Sequence, residues 1–289
     1  MMVLRGSGLT IAILATACTV DAAGEASRAQ AIIGGDQSEP SEFPATGMLV
    51  ARDHLICTAT LIAPDVAITA GHCLSPEPEF GGFGFTLDSD GSDGFGEIVP
   101  VAVYHIHPGF DPGVDDFIDL AVRNDVGVIL LEHPIEGVVP EIIERADDRM
   151  AVNSGDELAM CGFGRTLWHT ATLPIKRDAQ LIVDRSLDFE FSTTAADPQP
   201  CNGDSGGPLF ADGPKGRRMV GLVSRAVGRS VMCDTGAIIT RLKPYADWIY
   251  LASHDHNTGG CSAGGHGAAL PFGLVALAGL WVRRRRGAR

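Results

Sequence analysis

Positive charge is scarce in this chain. Lys and Arg together number 22 against 36 Asp and Glu, a formal net charge of -14. Phosphate backbones are held by clustered Lys and Arg, so the balance argues against nucleic acid as a partner. Acidity of this kind keeps a surface solvated. Long apolar runs are scarce too. Leu9–Ala17 and Ala268–Val282 both fall short of the roughly 20 residues a bilayer-spanning helix needs. Helical periodicity is nearly missing: only near the C-terminal end do Tyr245, Trp248, Ile249 and Ala252 share one helical face. What remains is a series of short apolar runs, Thr58–Ile62, Val66–Thr69, Val126–Leu131 and Val220–Ser224, separated by Gly, Pro, Asp and Ser. That is the pattern of an all-β fold.

The N-terminal segment reads as an export signal, with Arg5 before the short apolar core. Three cleavage sites compete: before Cys18 in a lipoprotein-like Ala15-Thr16-Ala17-Cys18 box, after Val20-Asp21-Ala22, or after Ala29-Gln30-Ala31. Export places the body in an oxidising compartment, where disulfides persist. The chain carries seven cysteines, of which Cys18 lies at the end of the signal and Cys261 in the tail.

Cys201-Asn202-Gly203-Asp204-Ser205-Gly206-Gly207-Pro208-Leu209 carries the most chemistry. Glycines permit a sharp bend, which can aim the Ser205 hydroxyl outward and turn the amides of Gly203 and Ser205 toward one point. Convergent N–H groups beside a nucleophile suit a developing oxyanion. Alone, such a loop is more often an ordinary turn. Two other segments supply the missing parts. Ile68-Thr69-Ala70-Gly71-His72-Cys73 sets a histidine after an apolar run, and Asn124-Asp125-Val126-Gly127-Val128-Ile129-Leu130-Leu131 sets an aspartate at the head of another. Serine needs a base to take its proton, histidine can do so near neutral pH, and a carboxylate can fix the tautomer.

The order His72, Asp125, Ser205, with these three motifs, resembles the trypsin-like (chymotrypsin-fold) serine endopeptidases. The likeness runs from about Ile32 to about Ala252 and includes Ile32-Ile33-Gly34-Gly35, His107-Pro108-Gly109-Phe110, Gly221-Leu222-Val223-Ser224 and Tyr245-Ala246-Asp247-Trp248-Ile249. The resemblance implies two packed antiparallel six-stranded β-barrels, roughly 32–140 and 141–252, closed by a C-terminal helix, with 1–31 as signal or pro segment and 253–289 as linker and tail. It implies bridges Cys57–Cys73 and Cys201–Cys233, leaving Cys161 as a buried thiol. It also implies activation by pairing of a freed Ile32 amino group with Asp204, although Ala31 precedes Ile32 where a basic residue is usual.

On mechanism, the resemblance and the residue chemistry agree. His72 takes the Ser205 proton as Oγ attacks a peptide carbonyl, Asp125 orients His72, and the Gly203 and Ser205 amides hold the oxyanion. No metal or organic cofactor is called for. The resemblance puts Gln199, not an acid, at the pocket floor, Ser224-Arg225-Ala226 on the opposite wall and Ala237 near the pocket base. A neutral, small or medium P1 residue is expected, with Arg225 and Arg229 available to acidic groups further along a substrate. The partners are therefore protein or peptide substrates. The alternative is a catalytically impaired protease-fold binding module; an α/β-hydrolase esterase is disfavoured because no Gly-x-Ser-x-Gly elbow follows a parallel strand.

Four other features invite functional readings. Residues 79–97 read as a solvated surface loop whose Asp88, Asp90 and Asp93 resemble a calcium loop in composition but not in glycine position. Asp119 competes with Asp125, but only Asp125 leads into an unbroken apolar strand and then Glu132-His133-Pro134-Ile135. His105 and His107 are spaced like metal ligands, with strand-end packing the plainer reading, and His254 and His256 sit in a polar linker. Finally, Cys261, a Gly/Ala/Ser spacer, Ala268–Val282 and Arg283–Arg286 resemble the C-terminal sorting signal (MYXO-CTERM type) of myxobacterial surface proteins. That resemblance implies a bacterial surface or secreted protein, its tail in the membrane before processing; a plain membrane anchor is the other reading.

Overall fold

The computed structural model describes residues 32–257 except 53, 76–81, 114–118, 165–173, 197 and 229–232. The expected export segment, the C-terminal tail with Cys261, and Arg229 lie outside the described residues.

Six strands close the first barrel: β2 (Thr46–Ala51), β3 (His54–Ala63), β4 (Val66–Thr69), β5 (Gly84–Thr86), β6 (Val99–Ile106) and β7 (Gly127–Leu131), in the order β2-β3-β4-β7-β6-β5. Six more close the second: β8 (Glu157–Gly162), β9 (Arg177–Ser186), β10 (Glu190–Thr193), β11 (Pro208–Gly213), β12 (Gly216–Ala226) and β13 (Ala237–Arg241). The ring β8-β9-β10-β13-β12-β11 closes through β8–β9 pairing, and the short β1 (Asp36–Gln37) adds to β9. The strand pairings within both barrels are antiparallel. One short helix, α1 (Ala246–Ala252), follows.

Three clusters of buried side chains explain the pattern of the strands. Leu61, Ala67, Phe85 and Ile129 fill the first barrel, and Leu181, Phe191, Leu209 and Ile239 fill the second. A third cluster joins them: Ile68, Val128 and Leu130 meet Phe210, Met219 and Leu222, with Tyr245, Ile249 and Ala252 completing the seam. Strands β4 and β7 are thus covered on both faces and read as unbroken apolar runs, the signature of doubly buried strands. β9 alternates buried and exposed residues along most of its length, because only one face is covered. Each large aliphatic side chain fully buried in the seam contributes roughly 1.5–3 kcal/mol. The seam holds the two barrels in one register, and the chemistry-bearing residues stand along it.

One expectation needs correcting. The segment 79–97 is not all solvated loop: Gly84–Thr86 is a barrel strand and Phe85 is fully buried. Glycine and aspartate on either side hide a three-residue strand whose pairing partners, β2 and β6, are non-local. The aspartates beyond it serve the backbone. Asp88 accepts from the amides of Asp90 (3.1 Å) and Gly96 (2.9 Å), and Asp90 accepts from that of Ser92 (3.0 Å).

Candidate active site

His72 stands on a single 3-10 turn, Gly71–Cys73, at the end of β4, and the Cys57–Cys73 disulfide ties that turn to β3. Asp125 stands at the head of β7, the strand paired with β4. The pairing brings the two together. His72 Nδ1 lies 2.8 Å from Asp125 Oδ2, and the His72 backbone N–H donates to Asp125 Oδ1, also at 2.8 Å. A third donor, Ser224 Oγ, reaches Asp125 Oδ2 at 2.6 Å from the second barrel. A β-bulge between Val223 and Arg225 makes this possible, since the extra residue there is Ser224. Bulges beside functional sites re-aim side chains in this way.

The electrostatics follow from that geometry. Burial pushes the His72 imidazole down, but the charge of Asp125 and its hydrogen bond outweigh burial, so His72 is held above its ordinary range; Arg225 opposes weakly. Burial would raise the Asp125 carboxyl, yet His72 and the Ser224 hydroxyl together hold it below the usual carboxylate range. The competing Asp119 is exposed and pairs with Arg185.

Sequence reasoning missed the residue that aims Asp125. Asn124 has a φ of 53°, in the left-handed region that Asn tolerates better than most residues. Its Nδ2 donates to Gly109 O (2.7 Å) and its Oδ1 accepts from Tyr245 Oη (3.0 Å). Burial, with Glu190 and Asp125 nearby, pushes the Tyr245 phenol up to about 12, so it stays a donor. The one available signal was an Asn immediately before the aspartate.

Ser205 lies half-buried in the loop between the Cys201–Cys233 bridge and β11. Gly206 has a φ of 76°, and a Cβ there would fall 2.1 Å from Thr69 Oγ1, so the loop backbone packs directly against the first barrel. Thr58 of β3 holds it: its N–H donates to Ser205 O and its Oγ1 to Gly203 O, both at 2.9 Å. The loop amides divide into two sets. Those of Asp204, Gly206 and Gly207 donate to Cys201, Val223 and Asp204 carbonyls. Those of Gly203 and Ser205 have no acceptor among the described residues, so both donors are open. No hydrogen bond joins Ser205 Oγ to His72 Nε2 among the described residues. His72, Cys57 and Cys73 bring their ring nitrogen and sulfurs within 4.8 Å of one another, but both sulfurs are in the disulfide and are not thiolate ligands.

Asp204 is fully buried and accepts from the amides of Gly164 and Cys201, both at 2.8 Å. Burial outweighs those bonds and pushes its carboxyl up to about 7. No cation pairs with it among the described residues. Ile32 is fully buried in the second-barrel core, and Ile33 exchanges two backbone hydrogen bonds with Gln199 (2.9 and 2.8 Å). In this chain Ile32 N is a peptide nitrogen and carries no charge.

The residues expected to line the pocket make other contacts. Gln199 is buried and its amide is fully engaged: Nε2 donates to Thr194 O (2.9 Å) and Ala196 O (2.6 Å), and Oε1 accepts from Gly236 N (2.9 Å). Ser224 turns its hydroxyl to Asp125. Ala237 is buried and donates its N–H to Thr193 Oγ1 at 2.9 Å, while Ala226 is half-buried. Arg225 is not open to acidic substrate groups as expected: it is buried and bonded bidentately to Glu190. Cys161 is a buried free thiol, pushed upward by burial. His105 Nε2 lies 2.8 Å from Asp255 O, and His107 packs edge-on against Tyr245 and Trp248.

Two closed antiparallel barrels with a short C-terminal helix are the chymotrypsin-type architecture of serine proteases. A protein-family model described as Trypsin matches residues 32–249, and the chain belongs to that family. It is 25% identical over 235 residues to human kallikrein-11 (75% of this chain, 79% of that protein) and 26% identical over 236 residues to human granzyme M (75% and 87%). It is 24% identical over 257 residues to a chymotrypsin-like serine proteinase of the abalone Haliotis rufescens (80% and 95%). Family membership supports serine endopeptidase activity on peptides or proteins.

Proposed function

We propose that this protein hydrolyses peptide bonds through an acyl-enzyme, with Ser205 as nucleophile, His72 as base and then acid, and Asp125 as the group that orients and charge-stabilises His72. The observation that carries the proposal is the buried Asp125 carboxylate, which receives His72 Nδ1, His72 N–H and Ser224 Oγ. That arrangement commits Nδ1 to the carboxylate; Nε2, beside Cys73 Sγ at 3.7 Å, is then the nitrogen for a substrate-side proton. The open amides of Gly203 and Ser205 are the donors for the oxyanion. A hydroxyl–imidazole contact that tightens only with substrate bound is common in unliganded sites.

Selectivity follows from the pocket. Gln199 holds no charge and faces its own backbone, so nothing there draws Lys or Arg. Ala226 on the wall and Ala237 near the base are small, and a neutral P1 residue fits. Ile32 and Asp204 are the activation pair: cleavage before Ile32 would convert its nitrogen to an ammonium suited to the buried carboxylate. Export, disulfide formation in an oxidising compartment and a membrane-associated tail before processing complete the reading. The alternative, an impaired protease-fold binding module, rests on the missing Ser205–His72 hydrogen bond. Profiling the protein processed to begin at Ile32 against a peptide library, with Ser205→Ala as control, separates the two. Cleavage after neutral residues that the control abolishes is expected; dominant cleavage after Arg or Lys overturns the pocket reading, and no cleavage favours the binding module.

A further inference from the structure

Arg225 and Glu190 form a buried ion pair beside the site, their side chains 7% and 2% exposed. Arg225 Nη1 meets Glu190 Oε1 at 2.9 Å and Nη2 meets Oε2 at 2.8 Å, the two parallel bonds of a guanidinium–carboxylate fork. They belong to β12 and β10, the two strands that flank β13, so the pair crosses over that strand. Apolar residues would fill such a space with no charge to desolvate, and a buried pair is weak evidence for stability. Its other bonds all lead toward Asp125.

Arg225 Nη1 also donates to Ser224 Oγ at 3.3 Å. A hydroxyl has one proton and two acceptor positions. With Arg225 donating to Ser224, the Ser224 proton is directed to Asp125 Oδ2, 2.6 Å away. Arg225 Nη2 donates to Asp119 O at 3.2 Å, and Glu190 Oε2 accepts from Ala121 N at 2.8 Å. The pair therefore grips residues 119 and 121 of the segment that runs into Asn124 and Asp125.

We propose that Arg225 and Glu190 are positioning residues for the His72–Asp125 couple, fixing the Ser224 hydroxyl rotor and clamping the segment that delivers Asp125. The proposal rests on the triad reading above. Among the described residues, the charged groups that act on His72 are Asp125 from the head of β7 and Arg225 from β12; Glu190 from β10 stands behind Arg225, Tyr245 ahead of α1 stands near Glu190 and Asp125, and the adjacent disulfide does not titrate. Arg225 pulls His72 downward against Asp125; a carboxylate paired with that cation, as Glu190 is, offsets its charge at a distance.

The test is an NMR titration of the His72 ring beside the rate of Ser205 labelling by a fluorophosphonate, both on the protein processed to begin at Ile32. Arg225→Met removes the cation and should move the His72 titration to higher pH. Glu190→Gln keeps the shape, leaves the cation unscreened and should move it to lower pH. A role in packing alone would move neither. Arg225→Lys keeps the charge and loses the fork, so it should hold the titration near the parent's while slowing labelling. The apolar pair Arg225→Met with Glu190→Leu guards against misfolding; it should fold and label on the order of 10–100-fold more slowly, the scale of a displaced catalytic group. Titrations unchanged in both single variants, or labelling of the folded double variant within about twofold of the parent, overturn the proposal. If the parent itself does not label, the triad reading fails, while the opposed shifts of His72 still decide the role of the pair.

Discussion

Thr58→Val probes how the first barrel holds the nucleophile loop of the second. Thr58 is fully buried. Its Oγ1 donates to Gly203 O at 2.9 Å and accepts from Phe163 N at 3.3 Å. Valine has nearly the same shape and neither function. Each hydrogen bond is worth about 1 kcal/mol net, and a buried group left without a partner costs about 1–3 kcal/mol. Two such groups give a loss of at least about 2 kcal/mol, or roughly 4–8 °C in Tm for a domain of this size. The loss falls on the loop that carries the open Gly203 and Ser205 amides. Ser205 labelling should therefore slow by about tenfold or more, since losing one oxyanion donor outright costs about 100–1,000-fold. Thr58→Ser keeps both bonds and should recover most of the rate. Thermal melts and labelling kinetics on the three proteins are the assay. A Val variant that melts within about 1 °C of the parent and labels at the parent's rate would refute the reasoning.

Other predictions follow from the same geometry. Because Asp125 raises His72, hydrolysis should fall as pH drops through a value above the ordinary imidazole range; in Asp125→Asn this limb should move to lower pH while the plateau drops about 10,000-fold, read from a pH–kcat/KM profile. Asp204 has a folded pKa raised from 3.8 to about 7, so in the uncleaved chain the folded state binds the extra proton over that window and stability should fall as pH rises through it. Chemical denaturation at several pH values measures this, and a chain cut before Ile32 should show a shallower slope. Gln199→Glu would face a carboxylate with the Thr194 and Ala196 carbonyls; it should lower Tm by several degrees (about 2–4 °C per kcal/mol) and create no preference for Arg or Lys in library profiling.

The strands β4 and β7 were legible because they are buried on both faces, which makes the apolar run unbroken. The helix near the C-terminal end was legible from a single face of Tyr245, Trp248, Ile249 and Ala252, three of which lie in the seam and one against it. The two-barrel family likeness rested on motifs whose residues are close in sequence. Strand β5 was not legible: three residues cannot show a period, and their neighbours are loop formers. Arg225 was misjudged for a related reason. Its partner Glu190 is 35 positions away, and nothing local distinguishes a buried arginine from a solvent-facing one. The role of Ser224 was hidden by the bulge, because strand alternation does not reveal which way an inserted residue points. Gln199 was expected at the pocket floor, and nothing local could reveal that its amide is bonded to backbone.

The claim that Ser205, His72 and Asp125 act as one catalytic unit is tested most directly by intact mass after treatment with a fluorophosphonate, on the protein processed to begin at Ile32. A single adduct on Ser205 is expected, which Ser205→Ala loses and His72→Ala reduces to a trace. A folded protein that takes up no adduct, or takes it up equally in both variants, would contradict it.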